Sequence, residues 1–107
     1  MSEMDRLGKL KNLLEKNPAN SFALYGIAME YRSRGELERA SRYFKELLNQ
    51  FPRYRAAFMQ QGLTLVGLGE VERARQVYEK GIRICEEAGD THAVCELREA
   101  LERLTSL

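Results

Sequence analysis

Residues 35–40 read GELERA and residues 69–74 read GEVERA, the same phrase with one conservative change, at an offset of 34. The offset reaches well beyond the phrase. It pairs Pro18 with Pro52, Lys11 with Lys45, Leu13 with Leu47, Leu14 with Leu48 and Ala23 with Ala57. It also aligns residues of similar kind: Leu10, Phe44 and Tyr78 share one register, Leu24 falls on Phe58, and Ala28 falls on Gly62. A fixed period of this length is the mark of stacked supersecondary units, each too small to bury its own apolar face. Within the period the apolar residues have helical spacing. Leu24, Ile27, Ala28 and Tyr31 recur at i, i+3, i+4 and i+7, as on the packed side of an amphipathic helix. The same stretch, LYGIAMEY at 24–31, carries Tyr25 and Met29 on a second side and only Glu30 as a charge. One side is accounted for by a core; the second asks for a partner.

Composition sets the outer limits. A chain of 107 residues suits one domain and is long enough for a real core. With 44% apolar and 31% charged residues, it reads as neither disordered nor membrane-embedded. No apolar run approaches the roughly 18 residues that span a bilayer, so no membrane partner is expected. The opening MSEMDRLGKLKNLLEK mixes acids and bases and lacks the apolar centre of a signal peptide. Lys plus Arg number 17 against 16 Asp plus Glu, a balance that does not point to nucleic acid. Cys85 and Cys95 are the 2 cysteines, too few for a disulfide-built secreted scaffold. A soluble cytoplasmic protein is the expectation. With 2 prolines, no tryptophan and turn phrases such as SRGE and GLGE between long amphipathic runs, the fold class expected is all-α.

The period and its residues resemble the tetratricopeptide repeat, in which large, small, aromatic, turn-Gly, Ala and Pro positions follow a set order. A first repeat over 21–54 supplies Leu24, Ile27, Ala28, Tyr31, Gly35, Ala40, Phe44 and Pro52. A second over 55–88 supplies Phe58, Gly62, Leu65, Gly69, Ala74 and Tyr78, and departs from the pattern at Gln61 and Glu86. The positions have physical reasons. Ala28, Gly62, Ala40 and Ala74 are small where paired helices approach closely. Gly35 and Gly69 stop the first helix of each pair by taking the left-handed conformation. Pro52 ends the second helix and biases Phe51 out of helical geometry. Asn17 and Pro18 do the same for the N-terminal helix, and Asn20 or Ser21 is the N-cap that follows.

Six helices are predicted, at 4–16, 21–34, 37–50, 54–68, 71–88 and 91–105. The first carries Leu7, Leu10, Leu13 and Leu14 and matches the second helix of a repeat whose first helix is absent. The last begins at Asp90 or Thr91, and its stripe is Val94, Leu97, Leu101 and Leu104. It is read as the closing helix a solenoid needs at its end, with two residues inserted after Cys85. The whole chain, 1–107, is then one repeat domain forming a right-handed superhelix of antiparallel helix pairs.

The resemblance also implies a function: non-catalytic binding of a protein or peptide partner. In this family the first helices of successive repeats line a concave groove. Carried across, the groove residues are Phe22, Tyr25, Met29 and Arg32 from the first repeat, Met59, Gln60 and Leu63 from the second, and Arg53 and Tyr54 at the junction. The last helix would add His92, Cys95, Glu99 and Glu102 at one edge. Methionine adapts to varied apolar partners, and Tyr offers contact area at low entropic cost. The chaperone-tail binders of the family hold a terminal carboxylate with Lys and Asn. Tyr25, Met29 and Gln60 stand in those places, so an amphipathic helix or extended apolar segment is the expected ligand. A homodimer that buries the groove is the structural alternative.

No nucleophile elbow, phosphate loop or zinc-protease helix is present, so no enzyme, no catalytic residue and no cofactor is expected. One further alternative is a metal or redox site at Cys85, His92 and Cys95. His92 and Cys95 are three apart, but a paired CxxC is missing.

Overall fold

The computed structural model describes residues 5–106. Six helices occupy them: α1 Arg6–Lys16, α2 Ser21–Ser33, α3 Leu37–Gln50, α4 Arg55–Gly67, α5 Val71–Ala88 and α6 Thr91–Thr105. The described residues contain no strand. The predicted start of the first helix at residue 4 lies outside the described residues. Two compact units result, Met1–Pro52 and Arg53–Leu107.

Local chemistry sets the helix ends. Asp5 caps α1 by accepting the Gly8 N–H at 2.9 Å, Asn20 caps α2 through the Ala23 N–H at 3.0 Å, and Asp90 caps α6 through the Ala93 N–H at 3.1 Å. Each side-chain oxygen satisfies one of the donors that a helix start leaves unpaired. Asn17, at the end of α1, accepts the Ala19 N–H at 3.1 Å and makes the bend into α2. The helix stops are built alike. Gly35 and Gly69, with φ of 79° and 80°, each pass through the left-handed region. Around the first, Gly35 N–H donates to Arg32 C=O and Glu36 N–H to Tyr31 C=O; around the second, Gly69 N–H donates to Val66 C=O and Glu70 N–H to Leu65 C=O. This paired closure absorbs the orphaned carbonyls of a helix end. Pro52 follows α3 as predicted, and Phe51 before it has left the helical region at φ −130° and ψ 77°.

In the first unit α2 packs on α3 and α1 packs on α2. The predicted stripe of α2 is inside: Leu24, Ile27, Ala28 and Tyr31 are all buried, against Ala40, Phe44 and Leu47 of α3. Leu7 and Leu10 hold α1 down. A Cβ on Gly26 would lie 2.9 Å from Leu10 Cδ1, so this glycine lets the leucine close onto α2. Leu13, which was expected on the apolar side, stands exposed, and Leu14 is half-buried. With α1 only 11 residues long, its packed side is narrow and Leu7 and Leu10 take it.

In the second unit α4 packs on α5, and α6 packs on both. Phe58, Leu65, Ala74, Tyr78 and Cys85 form the buried centre. Val94, Leu97 and Leu104 of the predicted α6 stripe are buried with Ala100, while Leu101 is half-buried. Two glycines make the packing close. A Cβ on Gly62 would overlap the Tyr78 ring, and one on Gly81 would lie 2.6 Å from Phe58 Cβ and 3.1 Å from Leu97 Cδ1. Gln61, the departure from the family pattern, is buried in this core.

Candidate protein-binding surface

The second unit contains a cleft of about 630 Å³, within the range of sites that engulf a ligand group. One wall is the start of α4. Because Pro52 breaks α3 and the chain enters α4 at Arg55, the residues Arg53, Tyr54, Arg55, Ala56, Met59 and Gln60 fall together on that wall. The other wall is the start of α6, with Asp90, His92, Ala93, Glu96 and Leu97.

One ion pair joins the walls, Arg55 with Asp90, and another ties the start of α4 to α5, Arg53 with Glu87. Arg53 Nη2 donates to Glu87 Oε1 at 2.8 Å, and Arg55 Nε lies 3.6 Å from Asp90 Oδ2. Asp90 works with both oxygens, since Oδ1 already caps α6. On the far wall His92 Nε2 and Glu96 Oε2 are 3.3 Å apart, with the imidazole almost wholly in solvent. Exposed pairs of this kind add little stability. Met59, Gln60 and Tyr54 are half-buried, whereas Leu97 at the floor is buried.

The groove residues of the sequence reading therefore divide. Arg53, Tyr54, Met59 and Gln60 share this cleft; Leu63 is exposed one turn further along α4 and does not line it. Phe22, Tyr25, Met29 and Arg32 belong to α2 of the first unit. Phe22 is the most exposed large apolar side chain described, at 61%, and the other three are half-buried. Part of that second stripe is used internally: the Tyr25 ring meets Phe44 edge-on, with centroids 6.1 Å apart and planes at 67°.

The residues named for the α6 edge divide as well. His92 lines the cleft as expected, but Cys95, Glu99 and Glu102 do not. With Val94, Leu97, Ala100 and Leu104 buried, a rotation of about 100° per residue turns Cys95 and Glu102 to the side opposite the packed one, and Glu99 lies about two turns beyond His92 along the same face. Glu99 and Glu102 instead border a shallow depression with Arg103, Thr105 and Ser106. Asp90, Ala93, Glu96 and Leu97 were missed. The signal was available: the buried stripe, once fixed, names its flanking residues.

The metal or redox alternative is not supported by this arrangement. Cys85 is buried and Cys95 exposed, both as free thiols. Among the described residues no three His, Cys, Asp or Glu side chains gather to hold an ion. Burial pushes the Cys85 thiol above its ordinary pKa, helped by the nearby Asp90 charge, which opposes the thiolate that metals and oxidants need.

Comparison with known proteins agrees with this architecture. A TPR repeat-containing protein of Pseudomonas aeruginosa is 28% identical over 95 residues, covering 89% of this chain and 90% of its own. The solution structure of a tetratricopeptide repeat domain protein from Salinibacter ruber superimposes with a TM-score of 0.79 at 26% identity, over 85% of this chain and 92% of that one. A solution structure of a Bordetella parapertussis protein reaches 0.85 at 26% identity, over 97% and 90%. Domains of this kind generally mediate protein–protein interaction and act as non-catalytic scaffolds. No helix among the described residues is long and apolar enough to cross a membrane. The tetratricopeptide repeat model matches residues 23–54 and 56–87, more than half of the chain, and the chain belongs to the tetratricopeptide repeat family.

Proposed function

We propose that this chain is a non-catalytic binding module for a peptide or helix of a protein partner, held at the start of α4. The observation that carries the reading is the α4–α6 cleft. It has a half-buried methionine and tyrosine above an apolar floor, and a helix on each side. Preformed clefts of this make-up suit a side chain inserted from outside, and Met59 can repack around different guests. Phe22, Tyr25, Met29 and Arg32 form a second contact face on α2, by the family resemblance.

The test is peptide selection on the intact chain, followed by NMR of the methionine methyl groups. Selected peptides are expected to shift the Met59 methyl and to lose binding in Met59→Asp. Peptides that bind equally well to that variant would overturn the assignment. Self-association is followed in parallel by light scattering over a hundredfold concentration range. A dimer abolished by Tyr25→Ala with Met59→Ala would make a second copy the occupant of these faces, in place of a foreign partner.

A further inference from the structure

We infer that the segment held by α4 is an amphipathic helix, laid along α4 with an uncharged apolar stripe against Met59, Leu63 and Val66, and neither an extended chain nor a charged one. The inference rests on the reading of the α4–α6 cleft as the protein-binding site and adds the form and chemistry of what is held there.

From Ala56 to Gly69 no residue is charged, in a chain with 31% charged residues. Within α4 that run leaves Ala56, Met59, Gln60, Leu63, Val66 and Gly67 unburied. At about 100° per residue they fall on one arc about 120° wide and about three turns long. Leu63, at its centre, is 37% exposed. The exposed residues of α3 and α5 are of another kind: Glu38, Arg42 and Lys45 on one, Glu72, Lys80 and Arg83 on the other. In the register of the first repeat Val66 falls on Arg32, so the matching side of α2 carries a charge that the α4 arc lacks. The charges at the two ends of the arc are engaged, Arg55 with Asp90 before it and Glu70 with Arg73 after it. Arc and cleft are continuous, since Met59 and Gln60 belong to both.

Such a surface disfavours a charged occupant of either sign, because an ion pressed against it loses water and gains no partner. It disfavours an extended chain for a related reason. Of the side chains on the arc only Gln60 has a strong hydrogen-bonding group, and the backbone groups of α4 are spent inside the helix. An extended segment would leave N–H and C=O groups unpaired on its buried side. A helix arrives with those groups already bonded to one another. Its apolar residues at i, i+4 and i+7 then repeat at the same interval as Met59, Leu63 and Val66, which lets the two ridges interlock. Ala56 and Gly67 are small at the two ends of the arc, where a long side chain would hold a helix off.

The test uses a capped peptide of about five helical turns, with Leu at i, i+4, i+7 and i+11 and paired Glu and Lys elsewhere, together with three variants. One has a central proline on its charged side, which breaks the helix and keeps every leucine. In the other two the i+4 leucine is replaced by Glu or by Lys. Each is titrated into the full chain, with the Met59 and Leu63 methyl signals as readout. The parent peptide is expected to shift both. The proline variant should bind more weakly by about tenfold or more, and the Glu and Lys variants should be weakened alike, whichever the sign. Leu63→Asp in the chain should abolish binding of the parent and Leu63→Met should keep it, with the fold of both checked by circular dichroism. A proline, Glu or Lys variant as tight as the parent, or shifts at Met59 that bypass Leu63, would overturn the inference while leaving the cleft a binding site. Methyl shifts on dilution of the chain alone would put a second copy on the arc and overturn it too. No shift at Met59 or Leu63 with any peptide at millimolar concentration would sink both this inference and the function on which it rests.

Discussion

At matched positions the two repeats solve the same packing problem with different side chains. In the first, Ala28, Phe44 and Leu47 are all buried and fill the α2–α3 contact. In the second, the register places Gly62, Tyr78 and Gly81. Tyr78 presses its ring onto Gly62, and the space at Gly81, where the first repeat has a leucine, is taken by Phe58 and by Leu97 of α6. The repeat template thus keeps the helices while volume moves between neighbours. The same contrast governs the exposed sides. Tyr25 leans on Phe44 within its own unit, whereas Met59, its counterpart 34 residues on, opens onto the cleft. What differs is the flanking helix. α1 packs on α2 and α6 packs on both α4 and α5; the cleft of the first unit, about 440 Å³, therefore opens elsewhere, beside Leu14, Leu24, Tyr43 and Gln50.

The sharpest way to break this comparison is at its two ends. Leu47→Ala removes a fully buried side chain for which the first unit has no substitute, and should cost about 2–5 kcal/mol by urea denaturation. Gly62→Ala gives the second repeat the residue of the first. In an exposed helix that change stabilises by roughly 1 kcal/mol; here the Cβ meets the Tyr78 ring, and a loss of about 1–3 kcal/mol is expected from overpacking. A gain in melting temperature would show that Tyr78 has room to move. Asn20→Ala and Asp90→Ala compare the caps of α2 and α6, each expected to cost around 1 kcal/mol. Asp90→Ala should in addition loosen Arg55, visible as a change in its side-chain NMR signals, and Asn20→Ala should not.

Two smaller effects sharpen the contrast between buried and exposed groups. Cys95 should react with Ellman's reagent in the native protein, and Cys85 only after unfolding, because burial both shields it and raises its pKa. Asp5 carries the smallest effect. The Gly8 N–H, then Arg34, hold its carboxylate below the ordinary value of 3.8. A carboxyl depressed in the folded state contributes stability that is present above its unfolded pKa and lost as pH falls through the folded one. An NMR titration should therefore place the Asp5 midpoint below 3.8. Arg34→Gln should raise it only partway, since the Gly8 bond remains.

The elements of this fold were legible because local signals agreed. The left-handed glycines at 35 and 69 and the proline at 52 fixed the turns, and the predicted bounds 21–34 differ from α2 by one residue at one end and 54–68 from α4 by one residue at each end. The site was only partly legible. Met59, Gln60, Arg53 and Tyr54 meet in one cleft, as a groove reading would place them. The α6 residues were missed because its register had to be carried across an insertion, and an error of one residue turns a helix face by about 100°. The Tyr25–Phe44 contact was hidden for a different reason. Periodicity reports which side a residue is on, not which way its ring tilts.

The notch at Gly81 makes the order of the repeats unexchangeable. α6 docks through Leu97 where the preceding repeat has no side chain, and the first repeat carries Leu47 at that place. A longer array made by copying residues 55–88 would still accept the closing helix. One made by moving the first repeat to the end would refuse it. A single glycine thus decides which repeat can receive α6.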